Sequence, residues 1–228
     1  MIEVPPDLRE RFEAWDAKGR PPQPAFGWDR QRWVRTLPDQ PMLATLADPI
    51  DRAVVTGYFE DIDTKQDALD AFLATYVWGW ANAGYNASRA ARILRLNTGD
   101  GRDFAADLLE LAGIAQAEGG VAAYRWATVR READPQFFAQ WNAAFGTKFI
   151  SFATIAANRH GTVPITTIMD KIVKNWFARH APQIRRLNPS WLAPASYERY
   201  TTAIADWAEQ LGIRPDEVEQ SIFVDYRV

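Results

Sequence analysis

The chain has 228 residues, enough for one large domain or two small ones sharing an interface, and its 47% hydrophobic and 13% aromatic content supplies a substantial core. It has no cysteine and only two histidines, His160 and His180, which excludes disulfides, a cysteine nucleophile, thiolate-bound zinc and iron–sulfur clusters, and leaves little basis for a histidine metal site. The net charge of −3 argues against a nonspecific nucleic-acid coat, so any chemistry rests on Lys, Asp, Glu, Tyr or Ser, with no metal and no cofactor expected.

The start, MIEVPPDLRE, has neither a basic n-region nor an apolar h-region, so no signal peptide is expected. No apolar run approaches the ~20 residues of a membrane span. A soluble, cytoplasmic monomer without membrane contact is the expectation. Residues 1–66 read as an N-terminal arm and irregular region packed on a helical body. Pro5, Pro6, Pro21, Pro22 and Pro24 crowd the stretch before Trp33, and RAVVTGYF has some β character.

From about Asp67 the pattern turns helical, and 67–228 forms the body. QDALDAFLATYVWGWANAG places Leu69, Phe72, Leu73 and Tyr76 at i, i+3, i+4 and i+7. After a Gly84-Tyr85-Asn86 loop, SRAARILRLN predicts a short basic helix, and DFAADLLELAGIAQAEG and GVAAYRWATVRREA predict two more. ADPQFFAQWNAAFG offers Asp134 as cap, Pro135 at the first helical position and Gly146 as stop, with TKFISFATIAANRHG as the next helix. This predicts a helical hairpin within 135–160. Asp170 is placed to cap KIVKNWFARH; SYERYTTAIADWAEQLG and a segment from RPDEVEQSIF follow, and FVDYRV has weak β character. The fold class is all-α, helical lobes flanking a cleft.

Within this plan Lys148 is oddly placed. It lies two residues past Gly146 among Phe145, Phe149, Ile150, Phe152 and Ala153. If Thr147 opens a helix, the dipole and the apolar neighbours both disfavour a cation there. On the residues alone Lys148 equally suits a lysine snorkelling to solvent, and Asp170 a simple cap.

Helix, glycine turn with FGTK, apolar helix, proline-containing loop and then Asp170 resembles the helix–hairpin–helix DNA glycosylases, in particular the compact 8-oxoguanine glycosylase-like branch without an N-terminal β domain. The resemblance is concentrated over residues 135–178. It implies double-stranded DNA as partner, a flipped nucleotide, Lys148 as nucleophile at the sugar C1′ and Asp170 as its acidic partner. It implies Gly146 and Thr147 as phosphate donors at a helix N-terminus. Ala144 stands where the family has a second glycine, which implies a wider turn.

WGWANAGYNASRAARIL is similar to the loop and arginine that fill the gap left by a flipped base, which assigns Tyr85, Asn86, Arg89 and Arg92 to DNA; core packing of Trp78 and Trp80 beside an exposed basic helix accounts for it equally. In EQSIF, Phe223 matches a base-stacking phenylalanine of the family's pocket and Glu219 stands where the family has Gln, a carboxylate that can only accept hydrogen bonds; a core role suits Phe223 as well. Trp176 and Trp207 are expected in the core.

The placement of charge fits a DNA-facing surface, and equally an ordinary solvated helix face. Between 159 and 186 stand Arg159, Lys171, Lys174, Arg179, Arg185 and Arg186 against Asp170 alone, whereas acids dominate from Glu198 onward; Lys171 and Lys174 are assigned to DNA. The function implied is a DNA glycosylase with lyase activity that removes an oxidised guanine, or a hypermodified base in an anti-phage role. The alternative is a helix–hairpin–helix DNA-binding module without catalysis.

Overall fold

A computed structural model describes residues 2–80, 86–99, 101–159, 161, 163–184 and 186–223. Its elements in order are α1 Pro6–Asp16, α2 Arg30–Thr36, α3 Met42–Thr45, α4 Arg52–Gly57, α5 Lys65–Trp80, α6 Asn86–Asn97, β1 Thr98–Gly99, β2 Arg102–Asp103, α7 Phe104–Glu118, α8 Gly120–Ala133, α9 Ala143–Asn158, α10 Lys171–His180, α11 Pro194–Leu211 and α12 Pro215–Phe223. The fold is all-α. The two strands form only a two-residue antiparallel hairpin, Thr98 opposite Asp103, that turns α6 into α7.

Two groups of helices share one core. Helices α5, α7, α8 and α9 pack on one another, and α5 and α9 are buried over most of their length, from Ala71 to Trp78 and from Phe145 to Thr154. A helix apolar around most of its girth must be enclosed by neighbours. The second group, α1, α10, α11 and α12, carries narrower apolar stripes. Trp176 and Trp207 are fully buried there and meet edge to face, as core residues. Helix α4 bridges toward the first group by packing on α5 and α9, and α8 meets α11.

The first 66 residues are more ordered than their prolines suggest. Pro6 sits at the start of α1, where its missing N–H costs nothing, and Leu8 and Trp15 turn inward. RAVVTGYF is not a strand: the Asp51 side chain accepts from Val54 N at 2.8 Å, starting α4, and Val55 and Phe59 face the core four residues apart. The amino-terminal residues are tied down at Asp206, whose carboxylate accepts from Ile2 N, and at Trp207, whose indole donates to Glu3 O.

A second departure matters more for function. Residues 135–140 form turns, not a helix, and α9 begins at Ala143. Asp134 caps only a local turn by accepting from Gln136 N, and Phe138 and Gln140 take positive φ. Asn97 pins the segment by bonding both N–H and C=O of Ala139, at 2.7 and 2.9 Å. Phe138 and Trp141 plunge into an aromatic cluster with Phe104 and Trp191. Burying that much aromatic surface outweighs the helical propensity of the segment.

Candidate active site

Asn142 caps α9, its side chain accepting from Phe145 N at 3.1 Å. The first turn is therefore Ala143–Phe145, and Lys148 falls in the second. Gly146 is not a turn residue. Its N–H donates to Asn142 O within the helix, and an added Cβ would lie 2.0 Å from Trp191 Cζ2, so glycine here lets the Trp191 ring lie against the helix. Thr147 is fully buried, its hydroxyl donating to Ala144 O and accepting from Met169 N, both at 3.1 Å. The free donors of this helix end thus lie a turn earlier than the sequence suggests, and the phosphate role expected of Gly146 and Thr147 does not fit their places.

Thr147 instead fastens the loop that delivers Asp170. The same loop is held by Tyr200 Oη, which donates to Ile168 O at 2.7 Å, by Tyr197 Oη to Thr167 O, and by Thr154 against Thr166. Burial pushes the Tyr200 phenol well above its ordinary value, so it stays a donor. Asp170 divides its carboxylate. Oδ1 caps α10 by accepting from Ile172 N and Val173 N at 2.9 and 3.1 Å, and Oδ2 faces Lys148 Nζ at 3.3 Å. The two groups come from opposite helix groups, and their side chains are 7% and 14% exposed, so this ion pair sits at the seam largely out of water.

Aromatic rings enclose the lysine. Its Nζ lies 5.6 Å from the centre of the Trp78 ring and 5.7 Å from that of Phe145, in cation–π range. Phe145 stacks on Trp80 at 5.2 Å, and the Arg89 guanidinium lies over Trp80 at 5.3 Å. Gly79 makes this approach of α5 to α9 feasible, since a Cβ there would stand 2.6 Å from Phe145 Cε1 and 3.2 Å from Lys148 Cδ. On the other side of the seam Glu219, fully buried on α12, accepts from Arg52 Nη2 at 2.7 Å, and that guanidinium lies 5.1 Å from the same Trp78 ring. Burial pushes the Glu219 carboxyl above its ordinary value, Arg52 opposing this and Asp170 adding to it.

A lysine and a carboxylate in contact, shielded by rings at a junction of helices, form a unit suited to nucleophilic attack with local proton exchange. The family described as "Putative 8-oxoguanine DNA glycosylase OGG-like protein" matches residues 19–223. The chain belongs to this OGG-like glycosylase family. No curated protein and no solved structure shows significant similarity to the chain.

For this OGG-like glycosylase the remaining expected site residues fall into four groups. Arg89 is brought toward Lys148 through the Trp80–Phe145 stack, and Asn86 is buried at the start of α6. Lys171 and Arg92 are exposed and Lys174 is half-buried. Tyr85 lies outside the described residues, as does most of FVDYRV. Phe223 lines a separate cavity of about 620 Å³ with Trp15 and Phe26, whose lining includes neither Lys148 nor Asp170. Glu219 and Phe223 are thus parted: Glu219 bonds Arg52, while Phe223, four residues on at the end of α12, lines the cavity on the α1 side. Among the described residues no group of acidic or histidine side chains could hold a metal ion, and no helix is long and apolar enough to cross a membrane.

Sequence reading missed Arg52, Gly79 and the ring role of Trp78. Arg52 lies 96 positions before Lys148, in a stretch read as β-like. Only the odd count of charges around a buried Glu219 would have asked for a cation, and burial is not visible in EQSIF.

Proposed function

We propose that this OGG-like glycosylase excises a modified base from double-stranded DNA, as a monomer, through Lys148. The nucleotide is extruded from the duplex, and the neutral amine of Lys148 attacks C1′. The N-glycosidic bond breaks, its electron pair leaves with the base, and the base takes up a proton. Opening of the sugar ring gives a protonated Schiff base, from which β-elimination of the 3′ phosphate cleaves the strand. Asp170 Oδ2 accepts the proton that the lysine gives up and stabilises positive charge developing on the sugar.

The observation that carries this reading is the 3.3 Å contact between a nearly buried Lys148 and Asp170 at the seam of the two helix groups, in a chain of this family. The family description supplies oxidised guanine as one substrate, and the resemblance leaves room for a hypermodified base in a defence role. The first turn of α9, with Arg89, Arg92, Lys171 and Lys174, would hold the DNA backbone. Base release from a panel of modified duplexes, measured by mass spectrometry, tests the proposal. Release by the wild-type chain that falls at least 1,000-fold in Lys148→Gln is expected, on the order seen when a nucleophile is lost. Release that survives the substitution would exclude lysine attack.

A further inference from the structure

Lys148 shares its place against α5 with one ring. A Cβ on Gly79 would meet Phe145 Cε1 at 2.6 Å, Phe145 Cζ at 3.3 Å and Lys148 Cδ at 3.2 Å, so the ring and the lysine stem fill one slot in the surface of α5. Both come from α9, three residues apart, and lie side by side on it. In a slot this tight a shift of the ring displaces the stem, because close-packed side chains leave little free volume to absorb it. The seat of the Phe145 ring therefore bears on the place of Lys148 Nζ, 5.7 Å from its centre.

Two rings of α5 contact Phe145, and they are held differently. Tyr76 lies 4.6 Å from it and is fully buried, packed with Phe72 at 5.5 Å and Trp33 at 6.4 Å, so the core fixes it. Trp80 stacks on Phe145 at 5.2 Å and 19°. It is the last residue of α5 and only half-buried, and Arg89 of α6 sets its guanidinium over the indole, 5.3 Å from the ring centre. A planar, always-charged guanidinium suits such a contact better than an ammonium. We infer that Arg89 is a positioning residue for Lys148: it fixes Trp80, Trp80 fixes Phe145, and Phe145 seats the lysine stem in the slot at Gly79. This role is separate from any contact Arg89 makes with DNA, and it rests on Lys148 acting as proposed. It ties the nucleophile to α6, the helix that also carries the exposed Arg92.

The test uses the full chain and one probe, a duplex with a preformed abasic site, which presents C1′ whatever base the enzyme excises. Duplex affinity, and the rate of borohydride-trapped adduct with all duplex bound, are measured separately. Wild type should form the adduct and Lys148→Gln none. Trp80→Leu should lower the saturating rate about 10- to 100-fold, the scale of a displacement of about 1 Å near a reacting centre. Trp80→Phe, which keeps a ring against Phe145, should stay within about threefold of wild type. Arg89→Ala should lower the same rate about 3- to 10-fold with the melting temperature held, and lower it no further in the Trp80→Leu background, because residues acting through one contact are non-additive. A saturating rate in Arg89→Ala equal to wild type, whatever its affinity, makes this arginine a DNA contact alone and overturns the inference, even where Trp80→Leu fails to fold. An Arg89→Ala effect that multiplies with that of Trp80→Leu overturns it too. An adduct lost only in Lys148→Gln overturns the positioning role and leaves the lysine reading intact, whereas no adduct in wild type overturns both.

Discussion

Asp170 does two things with two oxygens, and a single substitution separates them. An amide in place of the carboxylate keeps an oxygen to accept from Ile172 N and Val173 N but loses the charge facing Lys148. Asp170→Asn should therefore hold stability within about 1 kcal/mol, as Asn and Asp cap comparably, while base release falls about 100- to 10,000-fold, as on losing a proton-transfer partner. Denaturant midpoints and single-turnover rates measured on one preparation check both halves. Gly79 offers the complementary case. Gly79→Ala raises helix propensity, yet its methyl would stand 2.6 Å from Phe145 Cε1 and 3.2 Å from Lys148 Cδ. Activity should drop more than stability, and a rate equal to wild type would mean that the rings about Lys148 are not positioning it.

At the scale of elements, α9 shows how much of the site could be read in the chain. Lys148, the apolar face around it and the later Asp170 cap were legible, because capping chemistry and residue order are local. The turn was not. Gly146 looks like a stop from its neighbours alone, but its reason is Trp191, 45 positions away, whose ring occupies the space of a side chain. The Asn97 clamp on Ala139 and the aromatic burial that unwinds 135–140 are equally remote in sequence. Gly146→Ala distinguishes the two meanings of that glycine. A phosphate-turn glycine would cost DNA affinity; a packing glycine costs fold stability, about 1–3 kcal/mol for an overpacked methyl. The stability loss is expected, read by urea denaturation beside salt-dependent DNA binding.

Across the whole molecule the seam between the helix groups gathers charge out of water: Lys148 with Asp170, and Arg52 with Glu219. The all-α class and the order of the later helices were legible from periodicity, whereas the pairing of α4 with α12 through Arg52 and Glu219 depends on tertiary placement that no local pattern carries. It has a pH signature. The Glu219 carboxyl is raised above its ordinary 4.5, chiefly by burial. The native state thus holds this proton more tightly than the unfolded chain does, and the stability that follows is fully present below 4.5 and is lost as pH rises through the raised value. Relative to Glu219→Gln, which cannot titrate, wild-type unfolding free energy should fall as pH rises above the ordinary carboxylate value of 4.5. A constant difference between the two proteins would show that Glu219 does not change its proton affinity on folding.

The account turns on one nitrogen. Borohydride reduction of the wild-type chain on a duplex with a preformed abasic site, followed by proteolysis and mass spectrometry, locates the covalent bond. A sugar remnant on the peptide containing Lys148, absent in Lys148→Gln, is the predicted result; no adduct, or a remnant on any other lysine or on the amino terminus, would contradict it.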